Sequence, residues 1–164
     1  MNGIFYEEHG DTDVLQYGEL PDPEPGRSEV LVDVKAGALN HLDIWTRKGM
    51  PSPGEFPHIP GSDAAGVVAA VGEGVTRFET GDHVAVASGS YCGECEHCRA
   101  GEHSQCVEYT IIGEHSTGVH SEQTTLPEEN LVHVPDHVDF ETAAVAPQVT
   151  MRPAFASELI EASH

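Results

Sequence analysis

A mainly β domain, barrel-like with irregular loops, is what the residue pattern predicts. Three observations lead there. Apolar and alternating runs of strand length recur along the chain, helical patterning is confined to short stretches, and 17 glycines and 11 prolines punctuate 164 residues. Met1–Tyr6 is a short opening strand. Pro21, Pro23 and Pro25 in PDPEPG form a loop before Glu29–Ala36 (EVLVDVKA), which alternates with period two. His41–Arg47 reads as a short helix. Ala64–Val71 and Asp82–Ala87 read as buried strands joined by the turn-rich GEGVTRFETG. A further pair of strands is expected at Glu122–Leu126 and Leu131–Val134. A weak helix follows from Phe140 with Asp139 as its N-cap, and another begins near Phe155.

Composition excludes several functions. The chain has 28 Asp plus Glu against 7 Lys plus Arg, a formal net charge of −21. A nucleic-acid binder needs a basic face to displace counterions, and an anionic membrane surface would repel this protein. The longest apolar run, Ala64–Gly72, is far short of the roughly 20 residues that span a bilayer. The amino terminus has no basic and apolar leader pattern, so a cytoplasmic location is expected. The acids are spread along the chain, which predicts an acidic surface and a salt-loving source. Repulsion that acts over about 8 Å at physiological ionic strength is screened to about 3 Å near 1 M salt.

The four cysteines fall between Cys92 and Cys106, spaced C-x2-C-x2-C-x7-C in YCGECEHCRAGEHSQC. In a chain without an export signal, this density points to metal ligands over disulfides. Four thiolates at about 2.3 Å close a tetrahedron around one structural Zn2+ and leave no position for substrate. The same opening spacing begins ferredoxin clusters, but there the fourth cysteine comes three residues later and is followed by proline. His97 and His103 are spare ligands within the lobe. The zinc–tetrathiolate is anionic, Glu94, Glu96 and Glu102 surround it, and only Arg99 is near. Backbone N–H groups are therefore expected to stabilise the sulfurs.

The zinc lobe, together with GDHVAV (Gly81–Val86), PHIPGSDAAGVVAAVGEGV (Pro57–Val75), GALNHLDIW (Gly37–Trp45) and FETAAVAP (Phe140–Pro147), resembles the medium-chain dehydrogenase/reductase superfamily. That superfamily includes the zinc-containing alcohol dehydrogenases and the quinone oxidoreductases. The resemblance runs in order over residues 1–150 and implies a GroES-like, partly open β-barrel catalytic domain with a zinc lobe at 91–107. Residues 151–164 would begin a linker helix toward a Rossmann domain that is absent from this chain. The dinucleotide fingerprint GxGxxG is not found; Gly72-Glu73-Gly74-Val75-Thr76-Arg77 lacks its third glycine and lies at a strand-to-strand turn.

The resemblance also implies where a catalytic zinc would sit, and there this sequence departs from it. The family's first cysteine ligand becomes Asn40, its histidine becomes Ser62, the glutamate after it becomes Asp63, and the later cysteine falls near Gln148. The hydroxyl of the proton relay becomes Leu42. Asn, Ser and Gln are poor zinc ligands beside thiolate and imidazole, so no catalytic zinc is expected. Zinc acidifies an unactivated alcohol; hydride addition to an enone or quinone is less dependent on it, because charge develops on a conjugated oxygen. The expected function is thus NAD(P)-dependent hydride transfer to or from a small-molecule carbonyl, enone or quinone, with the NAD(P)H site in the missing domain and this chain alone inactive.

Asn40, Asp43, Ser62 and Asp63 are the candidate catalytic residues, with Asn40 as an oxyanion donor. His41 is the candidate contact to cofactor phosphates. Each has a plainer alternative: Asn40 bonding backbone at a strand end, Asp43 opening the helix, Ser62 and Asp63 stabilising a turn at the cleft edge. His83, His115 and His133 are expected to be ordinary surface or loop residues. Two other functions stay open, a stand-alone zinc-stabilised binding or assembly module and a zinc alcohol dehydrogenase with unorthodox ligands. An oligomer is possible in a full-length enzyme.

Overall fold

A computed structural model of the chain describes residues 1–50 and 55–150. Its centre is a five-stranded antiparallel sheet of β3 (Glu29–Ala38), β4 (Asp63–Val71), β5 (His83–Val86), β8 (Gln123–Pro127) and β9 (Leu131–His133), in the order β8-β3-β4-β5-β9. β1 (Asn2–Phe5) pairs with β2 (Gln16–Glu19), and β6 (Gly89–Ser90) pairs with β7 (Thr110–Ile111). The described sheets do not close on themselves, as a partly open barrel requires.

Strand alternation divides this sheet between two cores. On one face Val30, Val32, Val68, Val84, Val86, Leu126 and Leu131 pack with Phe78, Ile112 and Val119. On the other, Ala65 and Ala85 meet Ala143 and Ala144 of helix α3 (Phe140–Thr150). Alanine on both sides lets the helix lie close to the sheet. Asp139 caps this helix as expected: its carboxylate accepts the Thr142 N–H at 2.7 Å, which holds the carboxyl below its usual range.

Most expected elements form where the pattern puts them, including α1 (His41–Arg47). β2 and the β6–β7 pair were not foreseen, because four- and two-residue strands are too short to show a period. The expected strands near 122–126 and 131–134 do not pair with each other. A turn of 3-10 helix at Glu128–Asn130 sends them to opposite edges, β8 beside β3 and β9 beside β5. The helix expected from Phe155 lies outside the described residues. Among the described residues no helix is long and apolar enough to cross a membrane.

Candidate metal centre and substrate site

The segment from Tyr91 to Val107 wraps back on itself. Gly93 and Gly101 take left-handed conformations, φ 74° and 79°, that let the chain reverse around each sulfur pair. A short helix, α2 (Glu96–Arg99), starts at Cys95 and buries Cys98. The four ligand sulfurs all lie within 4.8 Å of one another. The Cys92–Cys106 and Cys92–Cys98 Sγ distances are 3.5 and 3.9 Å. A tetrahedron of zinc–sulfur bonds about 2.3 Å long has edges of about 3.8 Å, so the donor set fits one Zn2+. A disulfide, with sulfurs about 2.05 Å apart, does not match.

Backbone N–H groups point at these sulfurs. Cys92 N–H donates to Cys106 Sγ at 3.4 Å, Cys95 N–H to Cys92 Sγ at 3.4 Å, Cys98 N–H to Cys95 Sγ at 3.5 Å, and Glu108 N–H to Cys106 Sγ at 3.4 Å. The Cys98 N–H draws the Cys95 thiol down to about 6, and the Cys92 N–H lowers Cys106. Desolvation pushes Cys98 up to about 12. Only a dication among the four sulfurs makes all of them thiolates together. His97 lies 3.6 Å from a Glu102 oxygen, and His103 stacks on Tyr91 with ring centroids 3.8 Å apart; neither joins the sulfur group.

A second cluster forms where β3, α1 and β4 meet. Asn40 occupies the N-cap of α1. The Asp43 carboxylate accepts the Asn40 N–H at 2.7 Å through one oxygen and the Gly61 N–H at 3.1 Å through the other. Asp43 thus opens the helix, as its plainer alternative has it, and also ties the helix to the loop before β4. Asn40 Nδ2 donates to Asp63 Oδ2 at 2.5 Å. Ser62 and Asp63 are 1% and 0% exposed, so they lie beneath the surface and not at an open edge. The cause is topological: β4 runs through the middle of the sheet and Asp63 is its first residue.

Burial raises the Asp63 carboxyl, Asp43 adds to the rise, and the Asn40 bond and His120 oppose it. Ser62 Oγ and Asp63 Oδ1 have no hydrogen-bond partner. Asn40, Asp43, Ser62 and Asp63 therefore come together; His41 does not. It is exposed on α1, its ring 5.0 Å from that of Trp45. The side chain of Gln148 lies outside those described.

Two histidines near this cluster escaped notice in the sequence. His120 packs over Gly61 and sits 3.2 Å through Nε2 from the Ala38 carbonyl. His58 is buried, with Nε2 2.9 Å from the Gly113 carbonyl, and desolvation lowers its pKa. Neither belongs to a spaced motif, so only the tertiary contacts reveal them. The three histidines expected to be ordinary do structural work: His133 and His83 pack on Phe78 and Phe140, and His115 Nδ1 accepts the Ile111 N–H.

Residues 26–136 match the family described as "Alcohol dehydrogenase GroES-like domain". The chain is similar to an alcohol dehydrogenase of Schizosaccharomyces pombe, 36% identical over 138 residues, which are 83% of this chain and 39% of that protein. A quinone oxidoreductase of Pseudomonas aeruginosa is 39% identical over 142 residues, 86% of this chain and 35% of that protein. The crystal structure of an NAD-dependent alcohol dehydrogenase superposes with a TM-score of 0.85 at 48% identity, covering 90% of this chain and 43% of that one. The chain thus spans about two fifths of the length of the proteins it matches.

Proposed function

Because this chain belongs to the alcohol dehydrogenase GroES-like domain family, we propose that it is the substrate-side part of a nicotinamide-dependent oxidoreductase. The reaction is hydride transfer to or from a carbonyl, enone or quinone, without zinc at the reacting oxygen. Residues 1–150 are the catalytic domain, and 151–164 lead toward a cofactor domain. One observation carries the zinc-free reading: where the family resemblance places a thiolate and an imidazole, this chain has an amide already bonded to a carboxylate, and a buried hydroxyl. Neither is a donor that competes for zinc.

The nicotinamide, when bound, supplies or accepts the hydride. The described residues offer it no glycine-rich cradle between strand and helix; His41, exposed at the start of α1, is the contribution this chain would make to binding its phosphates. Beyond the bond to Asp63, Asn40 keeps one N–H, through which it polarises the substrate oxygen. Asp43 holds the first turn of α1 and Gly61 in register, and so fixes where Asn40 stands.

The Cys92, Cys95, Cys98 and Cys106 set holds one zinc whose work is structural, since its four positions are filled by the chain. The test is made on the longer protein carrying this domain. Reduction of quinones and enones by NADH and NADPH is compared with oxidation of simple alcohols, alongside zinc content. One zinc per chain with quinone or enone turnover is expected. Two zincs per chain, or alcohol oxidation abolished by mild chelation that leaves the fold intact, refute the zinc-free reaction.

A further inference from the structure

The amide of Asn40 lies against the buried carboxylate of Asp63, and its chemistry restricts how it can lie. An ionised carboxylate only accepts hydrogen bonds, so an amide beside it must turn its NH2 inward and its carbonyl away. A protonated carboxyl removes that restriction, because its O–H can donate to the amide oxygen instead. In this structure Nδ2 faces Asp63 Oδ2 at 2.5 Å, while Asp63 Oδ1 is buried and without a partner. The main chain of Asn40 is held separately by Asp43, whose carboxylate accepts its N–H at 2.7 Å.

We infer that Asp63 is a positioning residue: its carboxylate sets the orientation of the Asn40 amide, and with it which of donor and acceptor Asn40 offers the substrate oxygen. This rests on the proposed assignment of the Asn40 cluster as the substrate site. With Asp63 ionised, one N–H is committed inward and the second is held in a set direction. With Asp63 protonated, the amide turns over, and the N–H available to an oxyanion goes with it.

Three elements face the carboxyl. From α1 come Asn40 and the like-charged Asp43, and from the segment before β8 comes His120. From the end of β3 comes Ala38, its register partner, which adds no charge. Burial and Asp43 both favour the protonated form, so the change falls above the ordinary aspartate range.

The test has two parts. In the zinc-loaded chain, the Asn40 side-chain NH2 resonances, assigned by their loss in Asn40→Ser, are followed by NMR against pH beside the Asp63 carboxyl carbon. The two are expected to move with one midpoint, above that of exposed aspartates, and the amide shift is expected to vanish in Asp63→Asn. An Asn40 amide that ignores the Asp63 titration overturns the inference, whatever the activity.

In the longer enzyme, Asp63→Asn is expected to lower kcat on the order of 10- to 100-fold, the scale of a misplaced catalytic group. KM should change little, the acidic limb of the pH profile should be lost, and Asp63→Glu should recover part of the rate. Full kcat in Asn40→Ala instead defeats the substrate-site assignment, while the NMR result still decides the inference about the amide.

Discussion

Replacing Cys98 with serine tests the metal centre at one of its two buried ligands. Cys98 is the sulfur pushed furthest from thiolate by burial, and its N–H also supports Cys95 Sγ at 3.5 Å. The sulfur separations of 3.5 and 3.9 Å bracket the tetrahedral edge of about 3.8 Å, so the lobe is preorganised for zinc and loses a full ligand when Cys98 goes. Changing an outer-shell partner costs about 10- to 100-fold in affinity. Loss of a direct ligand is expected to cost on the order of 100-fold or more. Competition against a chromogenic chelator reads the affinity, and mass spectrometry reads the stoichiometry, expected to fall from one zinc per chain to none at micromolar metal. Cobalt substitution gives a second readout, since a tetrathiolate shows intense visible bands that a three-sulfur site weakens. Replacement of Ser104, in the same lobe but outside the sulfur group, should leave zinc content unchanged. Unaltered zinc affinity in Cys98→Ser refutes the four-sulfur centre.

Acid should weaken the fold through His58. Its ring is neutral when folded and donates from Nε2 to the Gly113 carbonyl, while the unfolded chain protonates near 6.5; stability falls as pH drops below that value, and His58→Phe flattens the slope in urea titrations. Leu131→Ala empties a fully buried site between Phe78 and the valines of β5, and should cost about 3 kcal/mol in chemical unfolding, against under about 0.5 kcal/mol for exposed Val107→Ala. Gly61→Ala combines φ +100° with a Cβ 2.4 Å from the His120 ring, and is expected to cost about 1–3 kcal/mol and to shift the His120 resonances in NMR. Salt should stabilise the chain. Arg47 and Arg77 donate to main-chain carbonyls, and the lysine pairs, Lys48–Asp11 at 3.4 Å and Lys35–Asp33 at 3.8 Å, are exposed, so a net −21 stands largely unpaired. Screening worth about 2 kcal/mol raises Tm by about 4–8 °C, and a flat melting temperature up to 2 M KCl excludes it.

Much of this molecule is legible in one dimension because its causes are local. The zinc lobe follows from a fixed spacing that puts four sulfurs within one reversal of the chain. β3 follows from a period-two run, β4 and β5 from apolar runs of strand length, and α1 from a short helical stretch with Asp43 as a helix-start residue. Pairing is not local. Strands near 122–126 and 131–134 look like a hairpin in sequence. One turn of 3-10 helix between them is enough to send each to its own edge of the sheet.

The cluster of Asn40, Ser62 and Asp63 is the case where residue identity and residue chemistry part company. Sequence picks out Asn40, Ser62 and Asp63 because they stand where zinc ligands are expected, and suggests groups at the lip of a cleft. Burial changes what those groups are. A carboxylate in the open would be an ionised surface acid; the same carboxylate at the start of the central strand, with Asp43 nearby and one oxygen unpartnered, resists ionisation. Against that rise stand the amide of Asn40 and the ring of His120. In the proposed zinc-free site, a hydrogen-bonded amide takes the place of a fixed positive charge. The reactivity proposed for the site would then follow the protonation of one buried carboxyl, which residue type alone could not disclose.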